Sequence, residues 1–482
     1  MSDEALEIID PVVADEHQLR RALGRFDLTL IGIGSVIGAG IFVVAGTAAA
    51  EHAGPAVMLS FIIASAGCFF AGLCYAEFAG MIPHAGSSYT YTYATMGRFM
   101  AWFVGWNMVL EYGVAGSGVA VGWSAYFLNL LSSFGITFPA AFANAPLAGA
   151  DLGSMHFTGA IINLPALILV LALTTLLVVG VRETARFNGA MVLIKVSIVL
   201  LVILFGLPYV TAGHLTPFIP PNEGVWGKYG VSGILAASGI VFFAYVGFET
   251  VSVAAQESRD PQRDIPSAIL ITLVVCTTLY VLMGLVLTGI TDWRDLDVGN
   301  PVSFAIGKIP ALGWLTLPVN IGALAGLASV TFATMYGQSR VFYGMARDGF
   351  LPPVFAAVHP KFLTPWLCTI AIGAVAAFLA ALFPLDILAD LVSIGTLVAF
   401  ISVCVCVLIV RRRAPRAHRP FRTPMIWLIA PAGILVCGLM ILSLSNGTWI
   451  RLVVWTAIGM VIYFGYSIRH ALPSKWTVKN QD

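Results

Sequence analysis

The chain has 482 residues, of which 59% are hydrophobic and only 10% charged, and its formal net charge is +1. Soluble domains carry about 25% charged residues, so this composition excludes a soluble globular protein and leaves a polytopic membrane protein. A net charge so near zero offers no basic surface for nucleic acid.

The first 25 residues are polar, with acids at Asp3, Glu4, Glu7, Asp10, Asp15 and Glu16, and they read as a tail without a cleavable leader. Residues 28–50 then carry no charge and as a helix would be about 34 Å long, enough to span a bilayer. Yet Gly32, Gly34, Gly38 and Gly40 fall inside this stretch. Glycine costs about 1 kcal/mol in a helix interior and permits unwound backbone. Such backbone is tolerated at membrane depth only where protein or a polar cavity surrounds it. The stretch is expected to be a broken helix that binds something midway across the membrane, although glycines also serve close packing of membrane helices.

Hydropathy divides the chain into twelve expected spans: 27–50, 56–82, 98–131, 158–181, 185–209, 231–256, 266–290, 313–340, 365–383, 386–410, 425–444 and 450–470. The span 98–131 is too long for the bilayer and must tilt or protrude. The largest loops, 132–157 and 210–230, fall on one side. With the N-terminus placed in the cytoplasm, 20 of the 25 Lys and Arg fall inside. Lys228, Arg294, Lys308 and Arg451 fall outside, and Lys195 lies within a span. Excess Lys and Arg mark cytoplasmic loops, so both termini are expected inside. Residues 411–422 form a basic, proline-containing linker expected to meet anionic lipid headgroups.

Five spans after the first break, Gly239, Gly247 and Glu249 interrupt another apolar run. Glycine-interrupted spans at matching positions of two halves point to an inverted-repeat transporter with its site at the midplane. The domains expected are a tail (1–25), a first five-helix repeat (26–210), a second, inverted repeat (231–411), the linker (412–424), two additional helices (425–471) and a tail (472–482). A half-helix N-terminus offers free N–H groups to a carboxylate, here at Gly38, Ala39 and Gly40. Carbonyls freed at Val36, Phe243, Ala244 and Val246 could accept from an ammonium group. The site chemistry therefore suits an amino acid.

The seven cysteines lie in apolar segments and read as small buried hydrophobes, not as a disulfide framework. No histidine pair at i, i+4 suggests a metal, and no cofactor is expected. An enzyme would need an HExxH, a GxSxG or paired intramembrane aspartates, none of which is present. A channel would lack the paired breaks.

Taken together and in order, several stretches resemble the amino acid–polyamine–organocation superfamily, in particular the bacterial homologues of the cationic amino acid transporters. They are GSVIGAGIF (34–42), CYAEFAGMIPHAGSSYTY (74–91), GWNMVLEYGVAGSGVAVGWS (105–124), RFNGAMVLIKVSIVL (186–200), FFAYVGFETVSVAAQESRDPQRDIP (242–266) and SRVFYGMARDGFLP (339–352). The resemblance implies an all-α, LeuT-like fold of five plus five inverted helices with helices 1 and 6 broken, two extra helices, and secondary transport of amino acids by alternating access. It implies that the backbone of Gly38, Ala39 and Gly40 holds the substrate carboxylate. Carbonyls at Val36 and Phe243–Val246 would hold its amino group, with Phe243 and Tyr245 as gates. The family often has Asp where Glu249 stands and Phe where Tyr245 stands.

Ionisable residues inside the membrane are costly and mark function or a specific partner. Lys195 is expected either to couple transport to protons or to act as a fixed cation bonded to carbonyls of the first span. The resemblance implies that Glu111 lies near the substrate side chain and suits a cationic one; a helix–helix hydrogen bond is the alternative. Glu249 is expected to pair with a neighbouring helix or to edge the site. Glu77 is expected to pair with an arginine, and the resemblance of Arg340, Arg347 and Asp348 to the family's inner-end signature implies gate contacts for these three. The run Glu257 to Asp264 reads as a solvated loop, with a helix starting at Asp264-Ile265-Pro266. Cationic and small neutral L-amino acids both fit. Proton symport and proton-independent exchange share every motif.

Overall fold

A computed structural model describes residues 23–82, 87–149, 156–180, 185–253 and 258–471. The acidic tail, the 472–482 tail and Glu257 lie outside these described residues.

The chain is helical almost throughout. In order, the helices are α1 (Arg25–Val36), α2 (Ala45–Ala48), α3 (Val57–Met81), α4 (Ser87–Met96), α5 (Arg98–Ser133), α6 (Leu164–Val179), α7 (Ala185–Gly206), α8 (Gly230–Val241) and α9 (Thr250–Val253). They continue with α10 (Pro261–Ile290), α11 (Pro301–Gly307), α12 (Gly313–Arg347), α13 (Trp366–Leu382), α14 (Leu385–Arg413), α15 (Ile426–Ser443) and α16 (Asn446–Ile462). One antiparallel pair, β1 (Leu147–Ala148) with β2 (His156–Phe157), lies in the connection after α5. Among the described residues, nine helical stretches are long and apolar enough to cross a membrane, and α6 and α13 are shorter apolar helices. One of the nine, Gly40–Met81, covers the end of one expected span and all but the last residue of the next. Only the tight turn Gly54–Ala56 joins the two, and it is opened by Gly54 at φ +58°.

The long helix α5 packs along α12 and α14, and α3 packs along α10. In the stretch Gly230–Ser252, 78% of the most apolar window is buried, against 22% in Asn446–His470. The second helix break is thus enclosed by the bundle, whereas α16 lies at its edge and presents Val453, Val454 and Val461 outward. A tryptophan clasp holds that edge. Trp106 and Trp455 stack at 4.4 Å, and each indole N–H donates to the other's carbonyl, at 2.8 and 3.1 Å. Trp102 stacks on Trp106 at 5.5 Å and donates to the Gly459 carbonyl.

Two expectations are corrected. Helix α10 starts at Pro261, a turn before Asp264-Ile265-Pro266, because Pro261 takes the first helical position, where a missing N–H costs nothing. Helix α4 was not expected at all. Its sequence, SSYTYTYATM, is polar and has no apolar run, and packing makes it. Tyr91 stacks on Phe78 at 4.9 Å, and Tyr93 meets Phe350 at 5.5 Å.

Candidate functional site at two broken helices

Helix α1 ends at Val36. The backbone bends at Ile37 and Gly38, and the chain resumes through π- and α-helical turns over residues 40–53. Such wide turns are rare and concentrate at functional sites. Among the described residues, no backbone carbonyl takes the amide hydrogens of Gly38, Ala39, Gly40 or Ile41. Phe42 is the first to bond, to Gly38 O at 3.3 Å. The second break follows α8. A tight 3-10 turn, Phe242–Tyr245, leads to an irregular stretch over 246–249 before α9.

The two breaks touch. A side chain at Gly40 would run into the backbone and Cβ of Ala244, so only glycine lets them meet. Gly247 adopts φ +119°, a conformation side chains rarely take, with Ser35 O 2.8 Å from where a Cβ would stand. Thr250 Oγ1 donates to Ser35 Oγ at 3.0 Å, tying α1 to the start of α9. At the opposite end, Tyr229 Oη donates to Ala50 O at 2.7 Å, Tyr229 N to His52 O at 2.8 Å, and His52 Nδ1 lies 2.8 Å from Gly227 O. These bonds tie the far ends of the two broken helices to each other.

The structure brings most of the expected site residues together. Val36, Gly38, Ala39, Gly40, Phe243, Ala244 and Val246 are all buried around the breaks, with Val330 of α12 opposite Gly38. Phe243 points at α5 near Gly118. Tyr245 turns the other way. It is fully buried, its hydroxyl donates to Phe61 O at 3.0 Å, and its ring packs on Tyr280 at 5.2 Å.

Tyr280 of α10 has no counterpart in the sequence reading. Its hydroxyl meets Val36 O at 2.9 Å and Ala244 O at 2.7 Å, two of the carbonyls expected to be free. A lone phenol in the aliphatic run of α10 gave no spacing signal. Each carbonyl keeps a second lone pair, so both remain able to accept from a ligand.

Lys195 of α7 is fully buried, and its ammonium donates to Gly34 O at 2.6 Å and Ile37 O at 3.3 Å. These carbonyls close the C-terminal end of α1, where the helix dipole favours a cation. Glu249 accepts from Tyr112 Oη at 3.1 Å and from Gly247 N at 3.0 Å, so it buttresses the second break. Glu111 is buried on α5, beside Thr396 of α14 and within electrostatic reach of Glu249.

Glu77 lies away from the breaks. Its carboxylate takes a two-pronged contact from Arg411, with Nε and Nη2 each at 2.8 Å, and further bonds from Arg419 Nε at 3.1 Å and Thr423 N at 2.9 Å. Arg419 also donates to four carbonyls of residues 410–417. Burial pushes the Arg419 guanidinium down from its ordinary value, and the Glu77 carboxylate pushes it back up. Near the same end, Asp348 accepts from Tyr89 Oη at 2.7 Å, and Arg340 lies over the Tyr336 ring.

Two apposed broken helices enclosed by the bundle, free amides at one break and a buried lysine beside it make the kind of site expected of a membrane transporter. The amino acid permease family model matches residues 23–476, and the chain belongs to that family, within the amino acid–polyamine–organocation superfamily. It is similar to the methylthioribose transporter of Bacillus subtilis (strain 168), with 43% identity over 95% of either chain. It is 42% identical to the branched-chain amino acid permease BcaP of the same organism, over 97% of either chain. The vacuolar cationic amino acid transporter 4 of Arabidopsis thaliana is 37% identical, over 83% of this chain and 64% of that one.

Proposed function

We propose that this protein carries amino acids across the bacterial inner membrane by alternating access, as a proton-coupled symporter of cationic or small neutral L-amino acids. The observation that carries the reading is the apposition of the two breaks. The unbonded amides of Gly38, Ala39 and Gly40 suit a carboxylate, and the carbonyls of Val36, Phe243, Ala244 and Val246 suit an ammonium group. Phe243 gates the site, Tyr245, expected as a second gate, instead supports the break from behind through its bond to Phe61 O, and Glu111 faces the substrate's side chain from the α5 side. Lys195 moves a proton. When it is charged, it holds the Gly34 and Ile37 carbonyls and the end of α1 with them. When it is neutral, that hold loosens.

In this reading the chain has twelve spans, as two inverted five-helix repeats (26–210 and 231–411) and two further helices (425–471), with both termini and the 412–424 linker in the cytoplasm. Uptake of single amino acids into proteoliposomes, with and without an inward proton gradient, tests it. Concentrative uptake that collapses with the gradient is expected. Uptake only against preloaded internal substrate, indifferent to pH, would instead make the protein an exchanger.

A further inference from the structure

The linker between α14 and α15 carries six arginines and no acidic residue over 411–425, and the structure sorts them. Arg411 and Arg419 turn inward onto Glu77, the latter with a fully buried side chain. Arg413 donates to Thr95 O. Arg412, Arg416 and Arg422 are exposed. The Arg412 guanidinium lies over the Trp427 ring at 5.4 Å. Trp427 opens the apolar helix α15 beside Met425 and Leu428, and these three are 57%, 71% and 60% exposed.

An exposed indole and aliphatic side chains at the start of a spanning helix sit where hydrocarbon gives way to headgroups. The guanidinium held against that indole is therefore at the height of the phosphates. Guanidinium is the cation best shaped for phosphate oxygens, which it takes two at a time. Glu77 cannot serve these three arginines, since its carboxylate already accepts four hydrogen bonds. At Arg412 and Trp427, aliphatic surface for an acyl chain and a cation for a headgroup are thus adjacent, and Arg416 and Arg422 lie exposed in the same linker.

We propose that Arg412, Arg416, Arg422 and Trp427 form a site for an anionic phospholipid, with the phosphate on the arginines and the acyl chain along Met425 and Leu428. The site is independent of what the breaks carry.

The test uses the full-length protein in nanodiscs of phosphatidylcholine, with or without phosphatidylglycerol. It reads the thermal unfolding midpoint and, by native mass spectrometry, the phosphatidylglycerol retained. Phosphatidylglycerol is expected to raise the midpoint of the parent protein. The triple variant Arg412→Gln, Arg416→Gln, Arg422→Gln should lose that rise and retain less lipid, by about fivefold for each arginine removed. Arg469→Gln, another exposed arginine near the same end, should keep both. Trp427→Ala reads the same site without removing charge and should also retain less lipid. Undiminished retention in the triple variant and in Trp427→Ala overturns the proposal. So does an equal loss in Arg469→Gln, which would mean diffuse surface charge. A full rise produced by soluble glycerol phosphate overturns it too, by making the ligand a free phosphoester.

Discussion

The hydroxyl of Tyr280 stands 2.7 Å from the carbonyl of Ala244 and shares its proton with Val36 O, so one side chain holds both helix breaks. Replacing it with phenylalanine keeps the ring against Phe61 and Tyr245 but leaves two buried carbonyls without that donor. An unsatisfied buried group costs about 1–3 kcal/mol. Tyr280→Phe should therefore lower the unfolding temperature and raise the substrate KM together. An unchanged KM would show that the bridge shapes stability alone.

Lys195 is tested by removing its charge at near-constant volume. Lys195→Met should still fold, since an aliphatic stem fills the same space, but uptake should become indifferent to the proton gradient and cease to concentrate substrate. Concentrative, pH-dependent uptake by this variant would leave Lys195 as a strut between α7 and α1.

Gly247 is held at φ +119° against Ser35 O. A left-handed conformation costs a non-glycine residue about 1–2 kcal/mol, and the added methyl would also press on that oxygen. Gly247→Ala should be destabilised by at least that amount in thermal unfolding and should slow uptake. A neutral result would mean that the 246–249 stretch relaxes freely.

Glu77 is buried and answers two guanidinium groups at once. Breaking such a pair by removing one partner costs about 3–5 kcal/mol, because it strands the other charge. Glu77→Ala should be severely destabilised and should open the 414–425 linker to protease. Glu77→Gln should fall between it and the parent. Equal protease resistance in all three would remove the carboxylate from the linker's fold.

Glu111 separates the substrate classes. If it meets a cationic side chain, Glu111→Gln should weaken competition by arginine while leaving competition by alanine unchanged. Loss of both in equal measure would assign Glu111 to the contact between α5 and α14.

The first break was legible because its signal is chemical. Four glycines in a spanning segment are costly enough to need a reason, and the backbone does bend at Ile37 and Gly38. Lys195 and Glu77 were legible because a charge in an apolar run must find partners. Here these are carbonyls of α1 for the lysine and two arginines for the glutamate. Tyr280 was hidden because its neighbours in sequence are ordinary aliphatics, and its two acceptors come from segments 36 and 244 residues away. Helix α4 was hidden for a related reason. No periodic apolar face marks it, and the rings that stabilise it come from α3 and from the connection after α12. Long-range packing decided both, and hydropathy does not carry that information.

The clasp of Trp102, Trp106 and Trp455 makes part of this molecule optically readable. Three indoles stacked at 5.5 and 4.4 Å are close enough to share their excited state, and they straddle the seam between the long helix α5 and the peripheral α16. Their coupling therefore depends on whether the outermost helix is seated, and it sets these three apart from the rest of the chain's 11 tryptophans. A near-ultraviolet circular dichroism signal of the stacked pair, identified by its loss in Trp455→Phe, would register detachment of the rim.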